Sequence, residues 1–339
     1  MAMTIVEFSQ RIGVSTATVW RALNDAKGIR PETRDMVLRR MKELGYQPNQ
    51  AARALVRGQS EVIAVWMPSI GTQYDALVLQ NVEKQLLRDN YEMFVRDMNA
   101  RWHRNESMGY LLRWPVDGII VVDAAMWVRN ALIGHRGSRP PMVGIGAYNE
   151  EPIDYVAVDL TAGAYEAVRH LISLGRRRVA YLVPRQFNAP DEARMVGYMR
   201  AMREADLEPE LIVTAVSNRP AAAQGIEDYL LQHKAPEALF CFNDNNAIGA
   251  FCRMREMGVR VPDDVAIVGC DGIEDTMYVE RKLSTIVIPL PEMCAVAWQF
   301  LRRRMKTPAM PRQRLVLQPS LVIRESSTGR PAPSPAPRP

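Results

Sequence analysis

The chain has 339 residues, 47% hydrophobic and 24% charged, which is too long for one ordinary domain and apolar enough to bury sizeable cores. No stretch approaches the roughly 18 continuous apolar residues of a membrane span, and the opening MAMTIVEFSQ lacks a basic segment followed by an apolar one, so neither a span nor a secretory signal is expected. The net charge of +5 lies wholly at the front: residues 1–60 hold ten Lys/Arg against five Asp/Glu, whereas the remainder holds 33 of each. A basic module ahead of a neutral body points to a polyanionic partner at the front end, although a solvated basic surface carries the same charge. Four cysteines (Cys241, Cys252, Cys270, Cys294) show no Cys-x-x-Cys spacing and read as reduced, core-filling thiols of a cytoplasmic protein.

The first sixty residues punctuate themselves. Thr4 and Glu7 stand at capping-box spacing, Ile5, Phe8 and Ile12 recur at helical spacing, and Gly13 ends the helix. Ser15 is a good N-cap for a second helix through Leu23, and Pro31 opens a third that runs past Met36, Val37 and Met41 to Gly45. Two short helices joined by a tight Gly-Val-Ser turn read as a helix-turn-helix, whose second helix enters the DNA major groove. A generic three-helix bundle with a surface arginine fits the turn alone equally well. Val19 and Leu23, one turn apart, should face inward, which leaves Thr16, Ala17, Trp20 and Arg21 outward; Arg21 suits a bidentate guanine contact. Asn49 then caps a helix over 50–57 that Gly58 ends, too short to be stable by itself.

From residue 61 the pattern alternates between apolar runs and helical stretches. The runs fall at 62–67, 91–95, 118–122, 141–145, 155–158, 178–183, 211–213, 238–242 and 265–269. This rhythm predicts parallel sheets with helices on both faces, and ligands in such folds bind at the carboxyl ends of strands. No glycine-rich phosphate loop opens any unit, and His103, His135, His170 and His233 have no partner at metal or triad spacing. No catalytic group, metal or cofactor is therefore expected. His170 reads as structural, and Arg176-Arg177-Arg178 as a solvated helix stop, where cations suit the dipole. Residues 327–339, ending in Pro-Ala-Pro-Ser-Pro-Ala-Pro-Arg-Pro, should be disordered, and they carry no leucine heptads.

The run from Thr4 through Ile12-Gly13-Val14-Ser15-Thr16-Ala17-Thr18-Val19-Trp20-Arg21-Ala22-Leu23-Asn24, with Pro31-Glu32-Thr33-Arg34 and Leu44-Gly45-Tyr46-Gln47-Pro48-Asn49-Gln50-Ala51-Ala52-Arg53-Ala54-Leu55, resembles the lactose-repressor (LacI/GalR) family of bacterial regulators. The likeness continues to about residue 326 through Asp117-Gly118-Ile119-Ile120, Asn243-Asp244, Arg260-Val261-Pro262-Asp263-Asp264-Val265-Ala266-Ile267-Val268-Gly269-Cys270-Asp271 and Val322-Ile323-Arg324-Glu325-Ser326. The resemblance implies a helix-turn-helix headpiece over 1–46, a hinge over 47–60, an effector-binding and dimerisation core over 61–326, and the tail over 327–339. That core is expected to resemble type I periplasmic binding proteins, with two doubly wound lobes, three crossovers and a small molecule between them.

By the same resemblance, Ser15, Thr16, Ala17, Trp20, Arg21 and Asn24 would meet DNA in the major groove, with Arg53 and Leu55 in the hinge. Leu55 would wedge between base pairs in the minor groove, though alone it reads as an ordinary linker residue. Tyr74, Arg194, Asn243 and Asp271 match positions that hold the effector; Asp244 reads either as a ligand or as a helix cap. The implied activity is repression from a palindromic operator by a homodimer, under control of a sugar-like polar effector. A solute-binding protein or an enzyme on the same scaffold is the competing class. Departures are visible: Trp20 stands where a small residue is usual and would pack on a thymine methyl or a sugar, or fold back on the first helix. Leu160 replaces an Asn, Gly71-Thr72-Gln73-Tyr74-Asp75 replaces a Ser-Asn-Pro-Phe-Phe-like loop, and Gly146 offers no carboxylate where some sugar-responsive members have one.

Overall fold

The computed structural model describes residues 3–23, 28–47, 59–98, 115–123, 139–147 and 153–328. Asn24, Arg53, Leu55 and the expected hinge helix over 50–57 lie outside the described residues. The chain divides into two compact units, Met1–Val62 with Arg113–Asp117, and Ile63–Leu112 with Gly118–Pro339.

The first unit holds helices α1 (Ile5–Ile12), α2 (Thr16–Leu23) and α3 (Pro31–Glu43). The capping box forms as the spacing predicts: the Glu7 amide donates to Thr4 Oγ1 at 3.2 Å, and the Thr4 amide donates to Glu7 Oε2 at 2.8 Å. Gly13, at φ 72°, adopts the left-handed conformation that ends α1. The Thr18 amide donates to Ser15 Oγ at 3.1 Å and starts α2. Phe8, Val19, Ala22, Val37 and Tyr46 form the buried centre, with the Phe8 and Tyr46 rings stacked at 4.3 Å. Leu23, expected inward, is only half-buried; Ala22 takes the deeper place, because a small side chain lets the helices approach.

The second unit is built on two six-stranded sheets. The first lobe has strand order β11-β5-β4-β3-β1-β2, from β1 (Val62–Met67), β2 (Glu92–Asp97), β3 (Gly118–Val122), β4 (Met142–Gly146), β5 (Asp154–Val158) and β11 (Arg314–Leu317). The second lobe has order β12-β10-β9-β8-β6-β7, from β6 (Val179–Pro184), β7 (Glu210–Thr214), β8 (Ala238–Cys241), β9 (Ala266–Asp271), β10 (Ser284–Val287) and β12 (Ser320–Val322). β1, β3, β4, β5 and β11 pair in parallel, as do β7, β6, β8, β9 and β10, and β12 closes the second sheet antiparallel.

Helices α4 (Gln73–Leu87) and α9 (Leu290–Lys306) pack on each other beside the first sheet. α5 (Leu160–Ser173) with α6 (Ala193–Glu204), and α7 (Arg219–Gln232) with α8 (Asp244–Glu256), cover the second. Alternate strand residues therefore enter separate cores: Tyr181, Phe240 and Val268 on one side, Ala180, Leu239 and Ile267 on the other. Burial on both faces explains the unbroken apolar runs, each full-sized aliphatic side chain contributing about 1.5–3 kcal/mol. The chain passes between the lobes three times, after β5, β10 and β11.

Two expectations need correction. The tail does not begin at 327: α10 (Glu325–Thr328) continues the core, with Ser326 and Ser327 buried. Ser327 Oγ lies 3.0 Å from His170 Nε2 and 2.7 Å from Ser284 Oγ, so these polar groups exchange hydrogen bonds and stay ordered. Cys252 is exposed, whereas Cys241, Cys270 and Cys294 fill the core as expected; all four are free thiols.

Candidate DNA-reading helix and effector cleft

On α2, the faces separate by burial. Val19 and Ala22 point into the first unit's centre, while Ser15, Thr16, Ala17 and Arg21 are exposed and Trp20 is half-buried. Three small side chains and one guanidinium thus occupy the outward face at the N-terminal end of the helix, a surface whose small profile and forked donor suit contact with base edges. Ser15 spends its hydroxyl on the cap, with its Oγ 2.9 Å from Thr18 Oγ1.

In the second unit, the carboxyl ends of strands from both lobes open on one cavity of about 450 Å³. Tyr74, Arg194, Asn243 and Asp271 all line it. Each is placed by a local device. Thr72 and Asp75 form a capping box that starts α4 and presents Tyr74 on its first turn; the Asp75 carboxylate also accepts from Ser69 Oγ and from the Gly71 and Thr72 amides at 2.9–3.1 Å. Glu192 caps α6 by accepting from the Met195 amide at 3.0 Å, and its second oxygen lies 3.4 Å from Arg194 Nε. The Arg194 guanidinium lies 3.8 Å from the centre of the Phe242 ring, which stacks on Phe187. Burial of the Arg194 stem between these groups fixes the fork's direction. Asn243 caps α8, accepting from the Asn246 amide at 2.9 Å and donating to Ser217 Oγ at 3.1 Å. Asp271 ends β9 with φ 127°, a strained conformation for a residue with a side chain.

Asp244 resolves differently from either alternative. It is fully buried, opens α8 without capping it, and does not line the cavity. Its carboxylate accepts from the Gly272 and Ile273 amides at 2.7 and 2.9 Å and from Thr285 Oγ1 at 2.6 Å. It therefore pins the turn that carries Asp271. Burial raises its carboxyl to about 6, against the pull of these donors. The Asp271 carboxyl is pushed well up, first by burial and then by the nearby Asp244 charge, with Arg194 opposing.

Asp123, Phe187 and Phe242 also line the cavity, and none was singled out by the sequence. Asp123 follows β3; its carboxylate accepts from the Ala147 amide at 3.0 Å and from the Tyr74 hydroxyl at 3.4 Å, and burial raises its pKa. Its importance depends on which strand lies beside β3, and no local signal carries that. Phe242 was legible in principle, being the residue between strand β8 and Asn243.

Comparison with known proteins identifies the two units. Residues 4–49 match the bacterial regulatory proteins of the lacI family, and residues 168–327 match a periplasmic binding protein-like domain. The first unit thus carries the DNA-binding domain of the lacI family of bacterial regulatory proteins. Among the chain's relatives, the ribose operon repressor of Haemophilus influenzae is 29% identical over 326 residues, 95% of this chain and 98% of that protein. The transcriptional repressor PurR of Histophilus somni (strain 129Pt) is 29% identical over 329 residues, with 95% and 98% covered. The lac repressor dimer solved with its operator and the anti-inducer ONPF shares the fold at TM-score 0.81 and 22% identity, covering 96% of this chain and 99% of that one. Among the described residues, no helix is long and apolar enough to cross a membrane, and no cluster of His, Cys, Asp and Glu is suited to a metal ion.

Proposed function

We propose that this chain is a cytoplasmic, homodimeric repressor of the lacI family whose affinity for a palindromic operator is set by a small polar, sugar-type effector held between the lobes of the second unit. The observation that carries the reading is the convergence of Tyr74, Arg194, Asn243 and Asp271, drawn from both lobes, on one cavity of about 450 Å³. Arg194 supplies a donor fork, Asp271 acceptors, and Asn243 both, a set that suits adjacent hydroxyls. Contacts to both lobes would favour one lobe arrangement over another, and that difference in affinity is what couples ligand to DNA.

DNA contact is assigned to Thr16, Ala17, Trp20, Arg21 and Asn24 with the Ser15 cap, and to Arg53 and the Leu55 wedge in a hinge over 47–60. Names of relatives point to two ligand kinds, a sugar and a purine; the carboxylates and the guanidinium in the cavity wall favour the sugar. Thermal denaturation of the full chain with sugars, amino sugars and nucleobases tests the reading. A member at 100 times its Kd should stabilise by about 2.7 kcal/mol, and Arg194→Ala should weaken that member at least tenfold, since a hydrogen bond to a charged group contributes about 1.5–3 kcal/mol. Stabilisation by nucleobases alone, or a full response in Arg194→Ala, would overturn it.

A further inference from the structure

The charge on the cleft wall, taken with the reading of that cleft as a sugar-type site, narrows the class of occupant. Among the described residues, three carboxylates (Asp75, Asp123, Asp271) and one guanidinium (Arg194) line the cavity, and Glu192 lies directly behind the guanidinium. Two of these acids are already answered. Asp75 takes its donors from the loop that starts α4, and Glu192 balances Arg194. Asp123 and Asp271 remain, one from each lobe.

Asp123 is aimed by its neighbour strand. A Cβ on Gly146, at the end of β4, would fall 2.0 Å from Asp123 Oδ1, so the carboxylate occupies the space that a side chain at 146 would fill. Gly146 itself has φ 142°, a conformation side chains rarely adopt. The Asp123 carboxylate thus takes the place of a side chain at 146 and, among the described residues, accepts from two neutral donors, the Ala147 amide and the Tyr74 hydroxyl, with the nearby Arg194 charge also favouring its ionised form. Across the cavity, no described residue donates a hydrogen bond to the Asp271 carboxylate. Burial raises the cost of ionising both acids, and the Asp123 charge adds to it at Asp271. An anionic occupant, such as a phosphate ester or a sugar acid, would add charge of the same sign. An ammonium supplies three donors and no acceptor, which is the complement of two carboxylates.

We propose that the effector of this chain is a cationic polyol of the amino-sugar class, with its ammonium seated between Asp123 and Asp271 and its hydroxyls on Arg194 and Asn243. Isothermal titration of the full chain at neutral pH tests this with glucose, glucosamine and glucose 6-phosphate, and with the corresponding galactose trio. In at least one trio the amine should bind tighter than its neutral parent by about tenfold or more, because charge-assisted hydrogen bonds are roughly twice as strong as neutral ones, and neither phosphate should bind. Asp123→Asn should erase the amine's advantage over its neutral parent. Gly146→Ala, which displaces the same carboxylate without removing it, should do likewise. A neutral sugar that matches its amine in both trios, a sugar phosphate that binds best, or an amine preference surviving both variants would overturn the charge assignment and leave the cleft a polyol site. Failure of all six sugars to bind would overturn the assignment and the sugar-type reading together.

Discussion

Asp271 shows how function and stability conflict within one side chain. Its carboxyl is raised by burial, by Asp244 and by Asp123, and it sits on strained backbone. A carboxyl with a higher pKa in the folded chain keeps its proton at a pH where the unfolded chain has lost it. Stability from this group therefore rises as pH falls from neutral through the folded pKa, and levels off once the unfolded acid is protonated too. The neighbouring Asp244, raised to about 6, acts in the same direction. Asp271→Asn should accordingly stabilise the folded chain near neutral pH, by on the order of 1 kcal/mol after solvent screening at the cleft mouth, while abolishing the ligand response. Melting temperatures of wild type and variant between roughly pH 5 and pH 7 check this: the gap should narrow toward the acid end. A variant less stable than wild type at neutral pH would show that Asp271 is satisfied in the folded chain and that its burial carries no electrostatic cost.

At the scale of elements, what was legible followed from local chemistry. The caps at Thr4 and Ser15, the stop at Gly13 and Pro31 at the start of α3 lie within four residues of the groups they act on, and the structure places each as the spacing predicts. The long strands were legible because burial on both faces leaves continuous apolar runs. β11 and β12 were not, because Arg314–Leu317 and Ser320–Val322 are short edge strands whose few apolar residues are exposed or half-buried. The arginine run after α5 shows the same limit. Read as a solvated stop, it is a set of ties: Arg176 donates to the Pro262 carbonyl at 2.8 Å, Arg178 pairs with Glu210 at 2.9 Å, and the Arg177 amide donates to Glu237 at 2.6 Å. Their partners lie 32 to 86 residues away, beyond any local pattern. In the cleft, Tyr74, Arg194, Asn243 and Asp271 were legible only through family resemblance, while Asp123 depended on the pairing of β3 with β4. Helix α2 makes a prediction of its own. With Val19 and Ala22 anchoring it, Arg21→Ala should leave the fold intact, cost about 1–3 kcal/mol on a selected operator, and relax preference at one base pair. Competition binding on single-base operator variants measures this. Equal weakening on every sequence would make Arg21 a phosphate contact instead.

For the whole molecule, the claim is that ligand in the second unit sets the DNA affinity of the first. The excess of basic residues before residue 61 and the acid-rich cleft after it would divide the labour by charge, with one end suited to phosphate and the other unsuited to it. Coupling between such sites typically amounts to about 1–3 kcal/mol, and its sign distinguishes an inducer from a corepressor. The most direct test is operator affinity by fluorescence anisotropy, with and without a saturating amount of the tightest-binding of the six sugars, for wild type and for Arg194→Ala/Asp271→Ala. The account predicts a shift of about fivefold or more in wild type and none in the double variant, whose ligand-free operator affinity stays at the wild-type value. A double variant that keeps the wild-type ligand response would contradict it, because the switch would then lie outside the cleft.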